Sequence, residues 1–366
     1  MKLIKRVGIA QLLCLFMMSP GFAFEATVNI PPICTQGCKT VDVRQFGVIP
    51  NTAQDDTPAL NRLLGQIKGN AILHFPAGVY TFGKTVQADR LSNVRFEGEP
   101  GAVWKKAENF QGEYLLVTRL SNGVEFKGLE FHGLTRDRNN YHWGESGIYI
   151  GTSNGALIQQ NRFLDFGDAA IRITSSSMGR QGVTSSNSIV RNNYFENITQ
   201  ITTTSNKNGY GGSMGAWVDH NEFRHLKGSV KFATRTPGAE QIIITSNQIE
   251  GVPTIPTSVG IEVVGYSNVF IENNQIKDTG GFAMNIYSNP MQGIKGFDWG
   301  NYLIRGNQID NCLRGIRVSA QPFADNYKPK VSDINIIKNT IHVKMNNPIQ
   351  LQKADIQGLN LQDNIP

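Results

Sequence analysis

The chain has 366 residues, 40% of them hydrophobic, and a formal net charge of +6 at pH 7. This length and apolar content are enough for a substantial core and exclude a disordered chain. This small positive charge only weakly favours an anionic partner. We expect no nucleic-acid partner.

Residues 1–23 have the order of a secretory signal peptide. Three basic residues precede an apolar run over 7–18, and Gly21-Phe22-Ala23 offers a small-residue cleavage site. The apolar run is short for a membrane span, and a retained anchor is the alternative. We therefore expect cleavage after Ala23 and a secreted or periplasmic protein with no integral membrane span. Loss of three positive charges and no negative ones would lower the net charge from +6 to +3.

Three cysteines follow the signal segment: Cys34, Cys38 and Cys312. The first two enclose a short loop and predict a disulfide in an oxidising compartment, whereas Cys312 is expected inside a stack of strands. Because few soft ligands remain, no metal site is predicted. The sequence requires no cofactor, and assistance by Ca²⁺ is left open. It gives no indication of oligomeric state.

A short amphipathic helix is predicted after Asp55-Asp56, with Pro58 in its first turn. Its apolar residues at helical spacing are Leu60, Leu63, Leu64 and Ile67. Such a helix can cover the open strand edges at the start of a solenoid, the architecture that the following residues indicate.

The motif I-x-x-N-x-[IF], or a close variant, occurs seven times between residues 158 and 341. Its asparagines are separated by 26 to 33 residues and lie at Asn161, Asn193, Asn221, Asn247, Asn274, Asn307 and Asn339. Recurrence at this nearly regular spacing indicates one structural unit stacked many times, and the alternation of apolar and polar residues indicates short strands. The sequence predicts an all-β, single-domain right-handed parallel β-helix of about nine or ten coils. Residues 24–70 form its N-terminal segment and cap, and 71–366 form the coils.

The recurring asparagine has a structural explanation. Stacked strands lie about 4.8 Å apart, so an asparagine at the same turn of each coil can hydrogen-bond to those above and below. Two weaker copies extend the stack, at 126–131 with Leu129 in the asparagine position and at 361–364. We interpret the column as structural rather than catalytic.

Three segments near the N-terminus resemble the pectate-lyase-like right-handed β-helix superfamily. They are Val41-Asp42-Val43 with Phe46-Gly47, Asp55-Asp56-Thr57 with Ala59-Leu60, and Phe75-Pro76-Ala77-Gly78 with Tyr80. One departure lies at 50–54, where members usually carry a Gly-Asp-Gly turn. The superfamily includes polysaccharide lyases, glycoside hydrolases, uronan C5-epimerases, phage depolymerases and proteins without known chemistry. The resemblance therefore implies the fold and leaves the activity to the site.

Site motifs of two of these activities are not found. The chain has neither the Asn-Thr-Asp and Gly-His-Gly elements expected of a polygalacturonase nor the Asp-Pro-His run of alginate epimerases. The hydrolase and epimerase interpretations therefore lose weight.

After each asparagine turn the chain reaches a strand of pattern apolar-x-apolar. Because side chains alternate across a strand, the middle residue is expected to point outward. Stacking then predicts one exposed row, which we call the outward column: Tyr149, Arg172, Thr202, Lys231, Glu262, Asn285, Arg317 and Gln350. A solvated sheet face with alternating charges is the alternative to a polysaccharide groove.

Two long segments, 135–145 and 203–215, are predicted to form walls beside the outward column, since solenoids place binding loops there. The first contains Arg136, His142 and Trp143. Aromatic rings in such walls can stack on sugars or pack internally. The residues predicted to bind substrate are Arg317, Asn285, Tyr287, Trp143 and Arg136.

Elimination on a uronic-acid polymer needs a group that neutralises the carboxylate, a base and an acid. We assign Arg172 as neutraliser, Lys231 as base with Glu262 beside it, and Tyr149 or His142 as proton donor. An ion pair between Lys231 and Glu262 is the alternative.

Hydrolysis would need two carboxylates about 5–9.5 Å apart. Glu145 and Asp168 lie three residues before Ile148 and Ile171, which begin two successive apolar-x-apolar strands. They are the candidate pair, although both sit in sequences typical of turns. The sequence thus predicts an exported protein that cleaves an anionic polysaccharide by β-elimination. The alternatives are a carbohydrate-binding or exopolysaccharide-assembly protein without catalysis, and a glycoside hydrolase or uronan epimerase.

Overall fold

The computed structural model describes residues 28–30, 32–67, 69–175, 185–204, 214–234, 237–288, 295–323, 325–352 and 356–366. The predicted signal segment 1–23 and most of the second predicted wall lie outside these residues.

Each regular coil contains three short strands, and equivalent strands of successive coils pair in parallel to give three stacks. The first stack contains Lys39–Asp42, Gly69–Phe75, Ser92–Gly98, Asn122–Lys127, Asn154–Gln159, Ser186–Arg191, Met214–Asp219, Glu240–Thr245, Ser267–Glu272, Trp299–Arg305, Val331–Ile337, Ile356–Gln357 and Asn360–Gln362. The second stack contains Glu130–His132, Arg162–Leu164, Tyr194–Glu196, Glu222–Leu226, Gln248–Gly251, Gln275–Lys277, Gln308–Cys312 and Thr340–Val343. The third stack contains Ser146–Gly151, Ala169–Thr174, Gln200–Thr204, Ser229–Ala233, Ile261–Val264, Phe282–Tyr287, Arg314–Ser319 and Ile349–Gln352.

Two long strands, Gly78–Gln87 and Ala102–Arg119, serve both the second and third stacks in the first coils. The result is a single-domain parallel β-solenoid of about ten turns, which confirms the predicted architecture.

The asparagine ladder is continuous. From Asn161 to Asn339, each side-chain Nδ2 donates to the Oδ1 of the asparagine in the following coil at 2.9–3.1 Å, and the last acceptor is Asn364. All eight asparagines, including Asn364, also donate from Nδ2 to a backbone carbonyl of the preceding coil. Leu129 occupies the first position, where its backbone N–H donates to Asn161. The interior asparagines are fully hydrogen-bonded and buried, as a structural column requires.

The core beside the ladder is built from the middle residues of the second stack. Phe131, Phe163, Phe195 and Phe223 stack face to face at 4.6–5.0 Å between ring centroids. Isoleucines continue the same row toward the C-terminus as Ile249, Ile276, Ile309 and Ile341, all buried. One apolar residue per coil at the same register therefore forms a continuous row in the core.

The N-terminal helix α1, Thr57–Gln66, follows a short 3₁₀ helix at Val43–Phe46 and confirms the predicted cap. Its leucines Leu60 and Leu63 are buried in the core. Polar residues of α1, with the two aspartates that precede it, accept hydrogen bonds from open backbone N–H groups of Gly78–Gln87. These bonds are Thr81 to Asp56, Gly83 to Asp55, Lys84 to Thr57 and Gln87 to Asn61, at 2.8–3.3 Å. The first strand edge is thereby closed to further pairing.

Cys34 and Cys38 form a disulfide, as predicted, and Cys312 is a free, buried cysteine within the second stack. Within the described residues, α1 and the other helical segment are both too short and too polar to cross a membrane.

Candidate functional site

The third stack places all eight predicted residues of the outward column in one register. Tyr149 pairs with Arg172, and the row continues through Thr202, Lys231, Glu262, Asn285, Arg317 and Gln350 in the predicted order. The alternation of side chains across the strand was therefore enough to define the row.

The expectation that every member of the column is exposed is wrong for two residues. Thr202 is 3% exposed and Asn285 is 7% exposed. Both have short side chains beside long ones, and Arg317 lies over Asn285, with its Nε donating to Oδ1 at 2.8 Å. The surface available to a ligand is therefore formed by the long side chains alone.

The centre of the column is an ion pair. Lys231 Nζ lies 3.1 Å from Glu262 Oε2, so the ion pair left open as the alternative is present. Ser229 Oγ donates to the same oxygen at 3.1 Å, and the Tyr287 hydroxyl donates to Oε1. Burial, followed by the charge of Glu262, raises the pKa of Tyr287, which keeps its proton in place.

Arg172 lies two coils before Lys231 on the column. Its Nη2 is 3.3 Å from Asp168 Oδ2. Two coil spacings put the backbones of Arg172 and Lys231 about 10 Å apart, a distance that one sugar unit and two long side chains can bridge.

Tyr149 is less available than predicted. Its hydroxyl donates to the carbonyl of Ser175 at 2.7 Å, and its ring packs against Tyr114 with centroids 5.0 Å apart. Burial raises the pKa of Tyr149. Its proton is therefore already used in a hydrogen bond within the protein.

The first predicted wall, residues 135–145, runs along the solenoid, and we call it the strap. The Tyr141 hydroxyl donates to the carbonyl of Lys227 at 2.6 Å, and Lys227 Nζ donates back to the carbonyl of Asp137 at 3.0 Å. Tyr141 also contacts Thr257, four coils beyond the coil from which the strap departs. The strap therefore borders the third stack on the side where its strands begin.

The three strap residues predicted at the site lie on this border rather than on the column. Arg136 pairs with Asp165. His142 Nε2 lies 3.7 Å from the carboxylate of Asp137, whose pKa is lowered to about 2, chiefly by a hydrogen bond from the Asn140 side chain. Trp143 is 68% exposed with its ring 5.2 Å from that of Tyr141, so it is the most open aromatic surface on the strap.

Glu145 and Asp168 are neighbours, as predicted, but their oxygens are occupied. Glu145 accepts from Lys106 Nζ at 2.8 Å, from Gly167 N at 2.8 Å and from Thr135 Oγ1 at 3.1 Å. Asp168 accepts from the Gln200 side chain at 2.9 Å and from Gly144 N at 3.3 Å, besides its contact with Arg172. This arrangement fits turn and strap anchoring better than acid catalysis.

Lys106 is a buried cation that the sequence analysis missed. It is 1% exposed, and burial lowers its pKa despite the opposing charge of Glu145. A signal was present, since Ala102, Trp104 and Lys106 alternate and the first two are core residues. Arg314, discussed below, was missed because only the middle residues of the strands were considered.

The described part of the chain contains no group of three or more His, Cys, Asp or Glu side chains placed to hold a metal ion.

Two descriptions of known protein families match this chain. Residues 211–365 match the right-handed β-helix region, which confirms the predicted hand. Residues 40–285, about two thirds of the chain, match the family described as rhamnogalacturonase A/epimerase, pectate lyase-like. The chain belongs to this family. No curated protein sequence matches it at a significant level.

Solved structures with the same fold have different functions. The surface protein and adhesin PfbA of Streptococcus pneumoniae has a TM-score of 0.67 at 17% identity, covering 89% of this chain and 97% of its own. The endo-xylogalacturonan hydrolase of Aspergillus tubingensis gives 0.61 at 13% identity, covering 86% and 92%. The alginate lyase of Paenibacillus sp. str. FPU-7 gives 0.54 at 14% identity, covering 82% and 97%. At such identities the likeness shows the fold alone.

Proposed function

We propose that this protein binds an anionic, uronic-acid-containing polysaccharide along the outward column and cleaves it by β-elimination. The observation that carries the proposal is the row of half-buried cations Arg172, Lys231 and Arg317, in one register on one face of the third stack. A row with this spacing offers successive positive charges to a linear polymer of carboxylates.

The chemical roles follow from the positions. Arg172 neutralises the uronate carboxylate and thereby acidifies the C5 proton. Lys231 is the base assigned to accept that proton, and Glu262 at 3.1 Å stabilises the ammonium that forms. Tyr287, whose hydroxyl donates to Glu262 on the same face, joins Tyr149 and His142 as a candidate for protonating the leaving oxygen.

We also propose that the protein is exported. The order of charges and apolar residues in 1–23 and the Cys34–Cys38 disulfide both support a secreted or periplasmic location.

A second candidate function is carbohydrate binding without turnover. It is favoured by the resting contacts of the column, where Glu262 holds Lys231, Asp168 holds Arg172 and the Tyr149 hydroxyl is committed to a carbonyl. Charges satisfied in this way suit a recognition surface as well as a catalytic one. The hydrolase alternative has less support because Glu145 and Asp168 are both fully engaged.

A screen of purified mature protein against alginate, pectate, glycosaminoglycans and bacterial capsules separates these functions. Elimination creates both a new carbon–carbon double bond, seen by ultraviolet absorbance, and new reducing ends. We expect both signals on at least one polymer. Reducing ends alone would replace the lyase with a hydrolase, and binding without either would leave recognition alone.

A further inference from the structure

A cavity of about 670 Å³ lies at the C-terminal end of the outward column, outside the centre proposed for elimination. Its lining includes Phe282, Arg314, Arg317, Met345, Asn347 and Gln350. Residues 345–347, between the last strands of the second and third stacks, form one side. The cavity is large enough for one sugar unit and opens onto the row of column side chains.

Two guanidinium groups dominate this cavity. The Arg314 guanidinium lies 5.2 Å and that of Arg317 4.5 Å from the ring centroid of Phe282. Arg317 uses its Nε for Asn285, and among the described residues no acceptor takes a hydrogen bond from either of its Nη groups. Within the described residues neither arginine has a carboxylate oxygen within 4.0 Å.

This pair differs from the other cations of the column. Arg172 is held by Asp168 and Lys231 by Glu262, whereas Arg314 and Arg317 both lie over the ring of Phe282. Burial lowers the pKa of Arg317, and the like charge of Arg314 acts in the same direction. An anion bound between them would remove this repulsion and use the donors that remain free.

We propose that this cavity is an anion subsite that holds the carboxylate of one uronate residue between Arg314 and Arg317. Asn347 and Gln350 supply amide groups for the sugar hydroxyls, and the exposed side chain of Met345 supplies an apolar surface for the ring. This proposal rests on the proposed function, because it assumes that the polymer lies along the outward column. Binding at the subsite can nevertheless be measured without turnover. A sulfate ester has similar chemistry, but the planar carboxylate fits the bidentate fork of a guanidinium.

The test is equilibrium binding of a short oligouronate to the full mature chain by calorimetry. Three probes are compared: the acidic oligosaccharide, the same oligosaccharide with its carboxyl groups reduced to alcohols, and a sulfated oligosaccharide of equal length. The variant is Arg314→Gln. The matched control is Arg305→Gln, which removes an arginine paired with Glu272 on the first stack.

We expect Arg314→Gln to weaken binding of the acidic probe at least tenfold and to leave the reduced probe unchanged, with Arg305→Gln indistinguishable from wild type. Wild-type affinity in Arg314→Gln, or equal affinity for acidic and reduced probes, would overturn the subsite. Tighter binding of the sulfated probe would overturn the choice of carboxylate. If Arg314→Gln does not fold, Arg314→Lys replaces it, and an intermediate loss is expected because the charge remains without the fork.

The two proposals fail differently. Binding that depends on Arg314 in a protein that eliminates no polymer would refute the lyase and keep the subsite. Elimination with binding unaffected in Arg314→Gln would keep the lyase and refute the subsite.

Discussion

Lys231 and Glu262 are register partners on adjacent strands, and their side chains form a 3.1 Å ion pair while remaining 28% and 13% exposed. A partly exposed pair of this kind contributes only about 0–1 kcal/mol to stability. Substitutions of Lys231 can therefore be interpreted through activity rather than folding.

The first prediction uses Lys231→Arg and Lys231→Ala. Arginine keeps the positive charge but remains protonated at neutral pH, so it is a poor general base. Both variants are expected to lose the elimination rate, while only Lys231→Ala also loses affinity for the polymer. The measurement is steady-state kinetics together with binding on the best substrate.

The control for this series is Lys277→Ala, which removes a 3.0 Å ion pair with Glu250 on the second stack and should keep full activity. Full activity in Lys231→Arg would show that Lys231 is an electrostatic contact and not the base. Wild-type behaviour in both Lys231 variants would place the working site elsewhere, with Glu145 and Asp168 the next residues to test.

The second prediction concerns the ladder. Asn247→Leu removes the side-chain bonds to Asn274 and to the carbonyl of Val218, and it leaves the donors of Asn221 without their acceptor. We expect a loss of about 2–4 kcal/mol in the free energy of unfolding, because buried polar groups become unpaired.

Denaturant unfolding of Asn247→Leu is compared with that of Gln248→Leu. Gln248 is the next residue and is exposed, so the same chemical change there should alter stability by less than about 0.5 kcal/mol. Equal effects of the two substitutions would contradict a stabilising ladder.

The third prediction concerns the buried pair Lys106 and Glu145. Lys106→Met leaves the Glu145 carboxylate without its cation, at an expected cost of about 3–5 kcal/mol. Adding Glu145→Leu should recover part of this loss, because the remaining charge is then removed as well. Thermal unfolding of the single and double variants measures the coupling.

Lys105→Met is the matched control, since Lys105 is the neighbouring residue on the opposite side of the same strand. We expect it to be close to wild type. A Lys106→Met protein as stable as Lys105→Met would mean that the pair does not anchor the strap.

The fourth prediction concerns the N-terminal cap. Leu63→Asp places a charge in the interface between α1 and the first coil, so we expect aggregation or loss of soluble protein. Arg62→Asp changes the adjacent exposed position and should remain soluble. Size-exclusion chromatography of the two proteins gives the comparison. A soluble, monodisperse Leu63→Asp protein would contradict a capping role for the helix.

The structural features that repeat from coil to coil could be predicted from the sequence. The spacing of Asn161 to Asn339 predicted the stack, and the alternation around Arg172 and Lys231 predicted the order of the outward column. Both depend on local periodicity, because every coil meets its neighbours in the same register.

The features that did not follow from the sequence are those without a period. The contacts of Tyr141 with Lys227 and Thr257 join residues 86 and 116 positions apart, and no spacing rule links them. The alternation of side chains along a strand also predicts on which face Lys231 lies, but it does not predict which neighbouring side chain its ammonium group contacts. Side-chain length decided the burial of Thr202 and Asn285, which a pattern of apolar and polar residues does not encode.

The strap has a consequence for how the protein unfolds. In an ordinary solenoid each coil interacts only with the next, so one end can fray while the other stays folded. Here a single segment is fastened to Asp165, Glu196, Lys227 and Thr257, one residue in each of four successive coils. We therefore expect these coils to open together as one cooperative block, with amide hydrogens of similar protection, while the coils nearer the C-terminus exchange on their own.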